Sequence, residues 1–220
     1  MKLLSVLQAR SIWVMFLNEL NPRGINLIHL FQPLIARYNF QIFPTKVEDL
    51  IGKEVTEIKF SGGTFNNIGI ELIIFNWGLV AQTRSSTVDS DAFLNDLLTW
   101  VSTEVDVMPY YEVLRTKVYL SELQVQTDKP LNALNPKLIN FSKRLTELIE
   151  GHEYHPIAFE TSGISLWTDP MIANVPGPFK FERQGDVPFG ENRYYSAAPL
   201  QTDIHLEILE ELEAILSSPT

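Results

Sequence analysis

Apolar and polar positions recur along this chain in two copies of one pattern. Residues 134–149, LNPKLINFSKRLTELI, repeat residues 20–35, LNPRGINLIHLFQPLI, without a gap and at an offset of 114 residues. Leu20/Leu134, Asn21/Asn135, Pro22/Pro136, Ile25/Ile139, Asn26/Asn140, Leu34/Leu148 and Ile35/Ile149 are identical pairs. Each copy predicts a helix. Asn is a favoured N-cap, because its side-chain oxygen accepts from a backbone N–H that has no partner within the helix. Proline suits the first turn, where its missing N–H costs nothing. In the first copy Ile25, Ile28, Phe31 (or Leu30), Leu34 and Ile35 form the apolar stripe. Pro33 falls inside that stripe, so this helix is expected to kink or to start late. The second copy lacks that proline and is expected to be straighter.

Around the repeats the period changes. Residues 3–18 are apolar on both alternating sets, Leu4, Val6, Ile12, Val14 and Phe16 on one and Leu3, Leu7, Trp13, Met15 and Leu17 on the other. That pattern predicts a strand covered on both faces, with a buried helix as the competing reading. Strands are predicted over 54–60, 68–75 and 78–84, with Ser61-Gly62-Gly63 and Asn66-Asn67 as turns. Ser90 or Asp91 would cap a helix carrying Phe93, Leu94, Leu97, Leu98 and Val101. Residues 113–126 alternate and then slip near Glu122, as a bulge would make them do. Further strands are predicted over 155–161, 163–168, 178–183 and 194–197. A terminal helix then runs from Thr202 or Asp203 to about Ser217, with Leu206, Leu209, Leu212 and Ile215 inward. The two late helices also correspond, at Ser90/Thr202, Asp91/Asp203, Leu94/Leu206, Leu97/Leu209 and Trp100/Leu212.

The expected fold class is therefore α+β: an internally duplicated unit of strand, helix, antiparallel strands and helix, in two pseudo-symmetric halves. The halves are expected at residues 1–107 and 108–220, packed as one globular body. The pattern leaves open whether their sheets join edge to edge or close into a saddle. This order of elements resembles the TATA-binding-protein-like fold and the SOUL/GyrI-like small-molecule-binding fold. Residues 181–213, FERQGDVPFGENRYYSAAPLQTDIHLEILEELE, resemble the C-terminal signature of a bacterial family of unknown function. Neither resemblance carries an activity, because function resides in sites and not in element order.

Charge and composition narrow the classes. A formal charge of −10, from 17 basic and 27 acidic residues, opposes binding to phosphate backbones, so nucleic acid is an unfavoured partner. The absence of cysteine excludes disulfides, thiolate nucleophiles and cysteine zinc sites, and fits a reducing compartment. Arg10 interrupts the N-terminal apolar run, no small-residue cleavage site follows, and Glu19 also opposes a membrane span. The expectation is a soluble, cytoplasmic protein without a membrane segment and without a cofactor.

Candidate chemistry is sparse. His152 and His155 form the one dense histidine pair, in what reads as a solvated loop; His29 and His205 read as packed or surface residues. There is no G-x-S-x-G elbow, Walker loop, dinucleotide fingerprint or calcium loop. The chain is accordingly expected to be non-catalytic. The best candidate for a binding patch is Glu182, Arg183, Asn192, Arg193, Tyr194 and Tyr195, since arginine and tyrosine combine flat contact area with directional donors. A hairpin in which Glu182 and Arg183 make cross-strand ion pairs is the structural alternative. A proline-rich loop with Ile172 and Val175 either docks a partner or is a stiffened surface loop; Trp77 and Trp167 either line a concave face or pack in the core. The functional expectation is a protein-interaction subunit of a bacterial or phage-related assembly, in defence or regulation, with a protein partner. The alternatives are a small-molecule-binding module with a cleft between the repeats, lined by Trp77, Trp167 and Phe181, and nucleic-acid binding through a saddle-like sheet.

Overall fold

The computed structural model describes residues 1–45, 57–129, 131–149, 159–169, 171–172 and 176–217. In the first half, β1 (Lys2–Val14) leads through the one-turn helix α1 (Leu17–Leu20) to α2 (Phe31–Tyr38). Strands β2 (Glu57–Phe65), β3 (Ile68–Phe75) and β4 (Gly78–Thr83) and helix α3 (Thr87–Glu104) follow. After the short α4 (Tyr110–Val113), the second half repeats the order with β5 (Thr116–Gln126) and α5 (Pro136–Ile149). It continues with β6 (Gly163–Leu166), β7 (Phe179–Arg183), β8 (Arg193–Ala198) and α6 (Thr202–Ser217). Strand neighbours repeat as well, β2-β3-β4-β1 in one half and β6-β7-β8-β5 in the other. The fold is a duplicated α+β unit built on antiparallel hairpins. The chain packs as two compact units: Val6–Ser121 with Pro199–Asp203, and Met1–Ser5 with Glu122–Ala198 and Ile204–Thr220.

The first unit holds a dense apolar core. In β1, Ala9, Ser11 and Trp13 are buried while Arg10, Ile12 and Val14 are half-buried, so one face is sealed and the other partly covered. Phe60, Leu72, Phe93 and Leu94 complete the centre, joined by Tyr38, whose ring meets Phe93 edge-on at 4.9 Å. Helix α3 begins earlier than Ser90 or Asp91. Ser86 caps it, accepting from the Asp89 backbone N–H at 3.1 Å and donating to the Asp89 carboxylate at 2.7 Å. Ser90 instead lies within the helix and donates to the Ala9 carbonyl at 2.9 Å. Asp91 accepts from Trp13 Nε1 at 2.7 Å and from the Tyr119 hydroxyl at 2.9 Å.

The turn at Asn66-Asn67 is as the sequence predicts, both residues having left-handed φ values of 50° and 64°, as a two-residue hairpin requires. Ser61-Gly62-Gly63 is not a turn. It lies within β2, where the register with β3 shifts between Phe60 and Gly63. Gly62 has φ of +68°, and a side chain on Gly63 would overlap the Phe40 ring.

The two repeat copies fold differently. In the first, Asn21 closes a loop: its Oδ1 accepts from the Ile25 N–H at 2.9 Å and its Nδ2 donates to the Ile25 carbonyl at 2.8 Å. Gly24 is left-handed, a 3-10 turn spans Ile28–Leu30, and the helix starts late, at Phe31. Pro33 then sits in its first turn, where no N–H is needed. In the second copy Asn135 does cap the helix, accepting from the Lys137 N–H at 3.1 Å. Helix α5 runs unbroken for 14 residues.

Burial along β5 alternates at Ser121, Leu123 and Val125, through the point where the sequence suggests a bulge. Helix α6 buries His205, Leu209 and Leu216, whereas Ile215 is exposed; Leu216 takes the inward position because it lies two turns beyond Leu209. The strand predicted over 155–161 falls mostly outside the described residues. No described helix is long and apolar enough to cross a membrane.

Candidate functional site

Antiparallel pairing sets Glu182 of β7 opposite Tyr195 of β8, and Arg183 opposite Tyr194. Tyr194 is buried and stacks on Phe181 with ring centroids 4.5 Å apart, and burial raises its phenol pKa. The Arg183 side chain is only 6% exposed and holds Glu160 at 2.8 Å. Its Nη1 donates to the Phe189 carbonyl at 2.9 Å, and its guanidinium lies 4.5 Å from the centre of the Phe189 ring. Five donors on a rigid plane suit this task, which fastens the loop between β7 and β8 from inside. Arg183 and Tyr194 thus face inward, away from any partner.

The other residues of the patch divide. Glu182 and Arg193 are exposed, the latter paired with Glu191 at 3.0 Å. Asn192 is half-buried and left-handed, with φ of 49°, and closes the loop. Tyr195 is half-buried; burial, with Glu122 beside it, pushes its phenol up to about 12. Trp77, in the first unit, is exposed and stacks on Phe75 at 4.7 Å. Trp167, in the second unit, is exposed, its Nε1 donating to Ser165 Oγ at 2.8 Å. Ile172 is exposed; Val175, His152 and His155 lie outside the described residues. His205 is buried against Ser196 Oγ at 2.8 Å, and Ser196 gives its proton to the Lys180 carbonyl at 2.9 Å. The imidazole Nε2–H is therefore the donor to serine, a packing arrangement that does not activate the hydroxyl.

An apolar stripe that the fold turns outward lies on α5. Leu138, Phe141, Leu145 and Leu148 recur at spacings of three and four, the period of a helix-packing seam. Leu138 is 43% exposed and Phe141 and Leu148 are each 61% exposed, with Leu145 half-buried. The neighbouring positions Ile139, Ser142, Thr146 and Ile149 are half-buried instead. Thr146 Oγ1 anchors this side by accepting from the Phe159 N–H at 3.3 Å. Lys137 and Arg144 immediately precede Leu138 and Leu145, so basic side chains flank the seam. In the first copy Gly24 stands where Leu138 does, and that difference is the sequence signal for the divergence.

No protein-family model and no curated protein matches the chain. Among solved structures it is similar to Methanococcus jannaschii TBP, over 98% of this chain and 97% of that one, at 12% sequence identity and a TM-score of 0.42.

Proposed function

We propose that this chain is a non-catalytic protein-interaction module whose contact surface is the outward seam of α5 and whose partner supplies an acidic amphipathic helix. The observation that carries this reading is the exposure of Phe141 and Leu148, apolar side chains at helix-packing spacing left open to water. A stripe of period 3.5 is covered best by another helix, whose ridges fill its grooves. Flanking charges select the partner. Helix α5 carries Lys137, Lys143 and Arg144 against Glu147, in a chain whose formal charge is −10, so acidic residues beside a partner's apolar stripe complement it. The setting suggested by residues 181–213 is a bacterial or phage-related assembly.

A photo-crosslinking amino acid at Phe141, introduced in the native cells, identifies what covers the seam. The reading predicts capture of a protein through an acidic amphipathic helix. A synthetic peptide of that helix should then bind saturably, and Phe141→Asp with Leu148→Asp should weaken it at least about 30-fold, as loss of central contacts does. Crosslinks to non-helical or basic segments, or binding indifferent to both substitutions, would overturn it. Crosslinks to α6 of a second copy would replace the separate partner by self-association.

A further inference from the structure

The first compact unit contains an apolar pocket of about 360 Å³, partly open to solvent, that the interaction surface does not use. Leu72, Leu79, Leu97, Leu98, Trp100 and Val101 are among its lining residues, and residues of the segment 17–34 complete it. Among the described lining residues Asn21 and Asn26 carry amides, Trp100 carries an indole N–H, and none is ionisable. Asn21 is already satisfied by Ile25, and Asn26 is exposed at the chain surface. An apolar site of roughly 150 Å³ already suffices to hold benzene, so this pocket has room for a larger hydrocarbon.

The wall from 17 to 34 is made of the first repeat copy. Where the second copy is one continuous helix from Pro136, this wall is the one-turn α1, an Asn21-closed loop with left-handed Gly24, a 3-10 turn and the start of α2. Short turns open locally at lower free energy than a continuous helix does, so this wall adapts most readily to a ligand. We infer that the pocket is a binding site for a neutral, mainly hydrocarbon small molecule of aliphatic or alicyclic character, with at most one uncharged polar group. A carboxylate or ammonium is disfavoured because the described lining offers no counter-charge to offset its desolvation.

The test uses the full chain with 1-decanol as probe and decanoate at pH 8 as its charged counterpart. Decanol should raise Tm by a few degrees at saturation, since binding to the folded state stabilises it. It should shift the methyl resonances of Leu72, Leu79 and Leu97, and it should bind at least about tenfold more tightly than decanoate. Leu97→Phe and Ile28→Trp each narrow the pocket, and either should weaken decanol binding several-fold, so that one serves where the other fails to fold. The Phe141→Asp, Leu148→Asp variant should bind decanol normally, which separates this site from the α5 surface. Unmoved methyl resonances up to the solubility limit of decanol, equal binding by the narrowed variants, or shifts confined to α5 would each overturn the inference.

Discussion

Leu34 and Leu148 occupy the same place in the two repeat copies, yet one is 5% exposed and the other 61%. Seven of the 16 aligned positions are identical, and besides the letters that differ the two helices differ in what each has to sit on. In the first half, α2 is clasped by rings: Phe31 stacks on Phe60 at 5.6 Å, and Tyr38 contacts both Phe93 and Phe65 edge-on. The sheet beneath includes a nine-residue β2 paired to an eight-residue β3. In the second half the corresponding hairpin pairs only four residues of β6 with β7. Side chains alternate between faces, so a strand that short offers about two per face. The half with more sheet buries its stripe and frames a pocket; the half with less leaves its stripe outside.

The largest effect separates the two leucines directly. Leu34→Ala should destabilise the protein by about 2–5 kcal/mol, as removal of buried methyl groups does, whereas Leu148→Ala should stay within about 0.5 kcal/mol. Urea unfolding measures both, and similar losses would break the comparison. A smaller effect sharpens it. Gly63→Ala drives a methyl into the Phe40 ring and should cost about 1–3 kcal/mol by overpacking. Gly69→Ala, with nothing within 4 Å of the added methyl, should change stability by no more than about 0.5 kcal/mol. Equal costs at both glycines would mean that the β2 bulge is not what seats Phe40.

Much of the fold was legible because local chemistry agreed with the tertiary outcome. Paired asparagines marked the β2–β3 turn, Pro33 marked a delayed helix, and the apolar spacing of 202–217 marked α6. The start of α3 was written in Ser86 and Asp89, a reciprocal cap that the apolar stripe alone does not reveal. Ser61-Gly62-Gly63 reads equally well as a turn or as a bulge, and only the bulk of Phe40 decides. At the candidate site, arginine and tyrosine have the same composition whether they meet a partner or each other. What turns Arg183 inward is Glu160, 23 residues earlier, which only the folded sheet brings near. The α5 seam was hidden for the opposite reason: an apolar stripe reports that something covers it, not whether the cover belongs to the same chain.

Because the chain contains no cysteine, Leu34→Cys and Leu148→Cys each install a single thiol at equivalent repeat positions. Their native-state rates of reaction with a soluble disulfide reagent test the central claim most directly. The Leu148→Cys thiol should react within about tenfold of its rate in the unfolded chain. The Leu34→Cys thiol should be slower by at least about two orders of magnitude, since each tenfold reflects about 1.4 kcal/mol of opening free energy. Equal protection at the two positions would show that α5 is covered by its own chain, and would contradict the account.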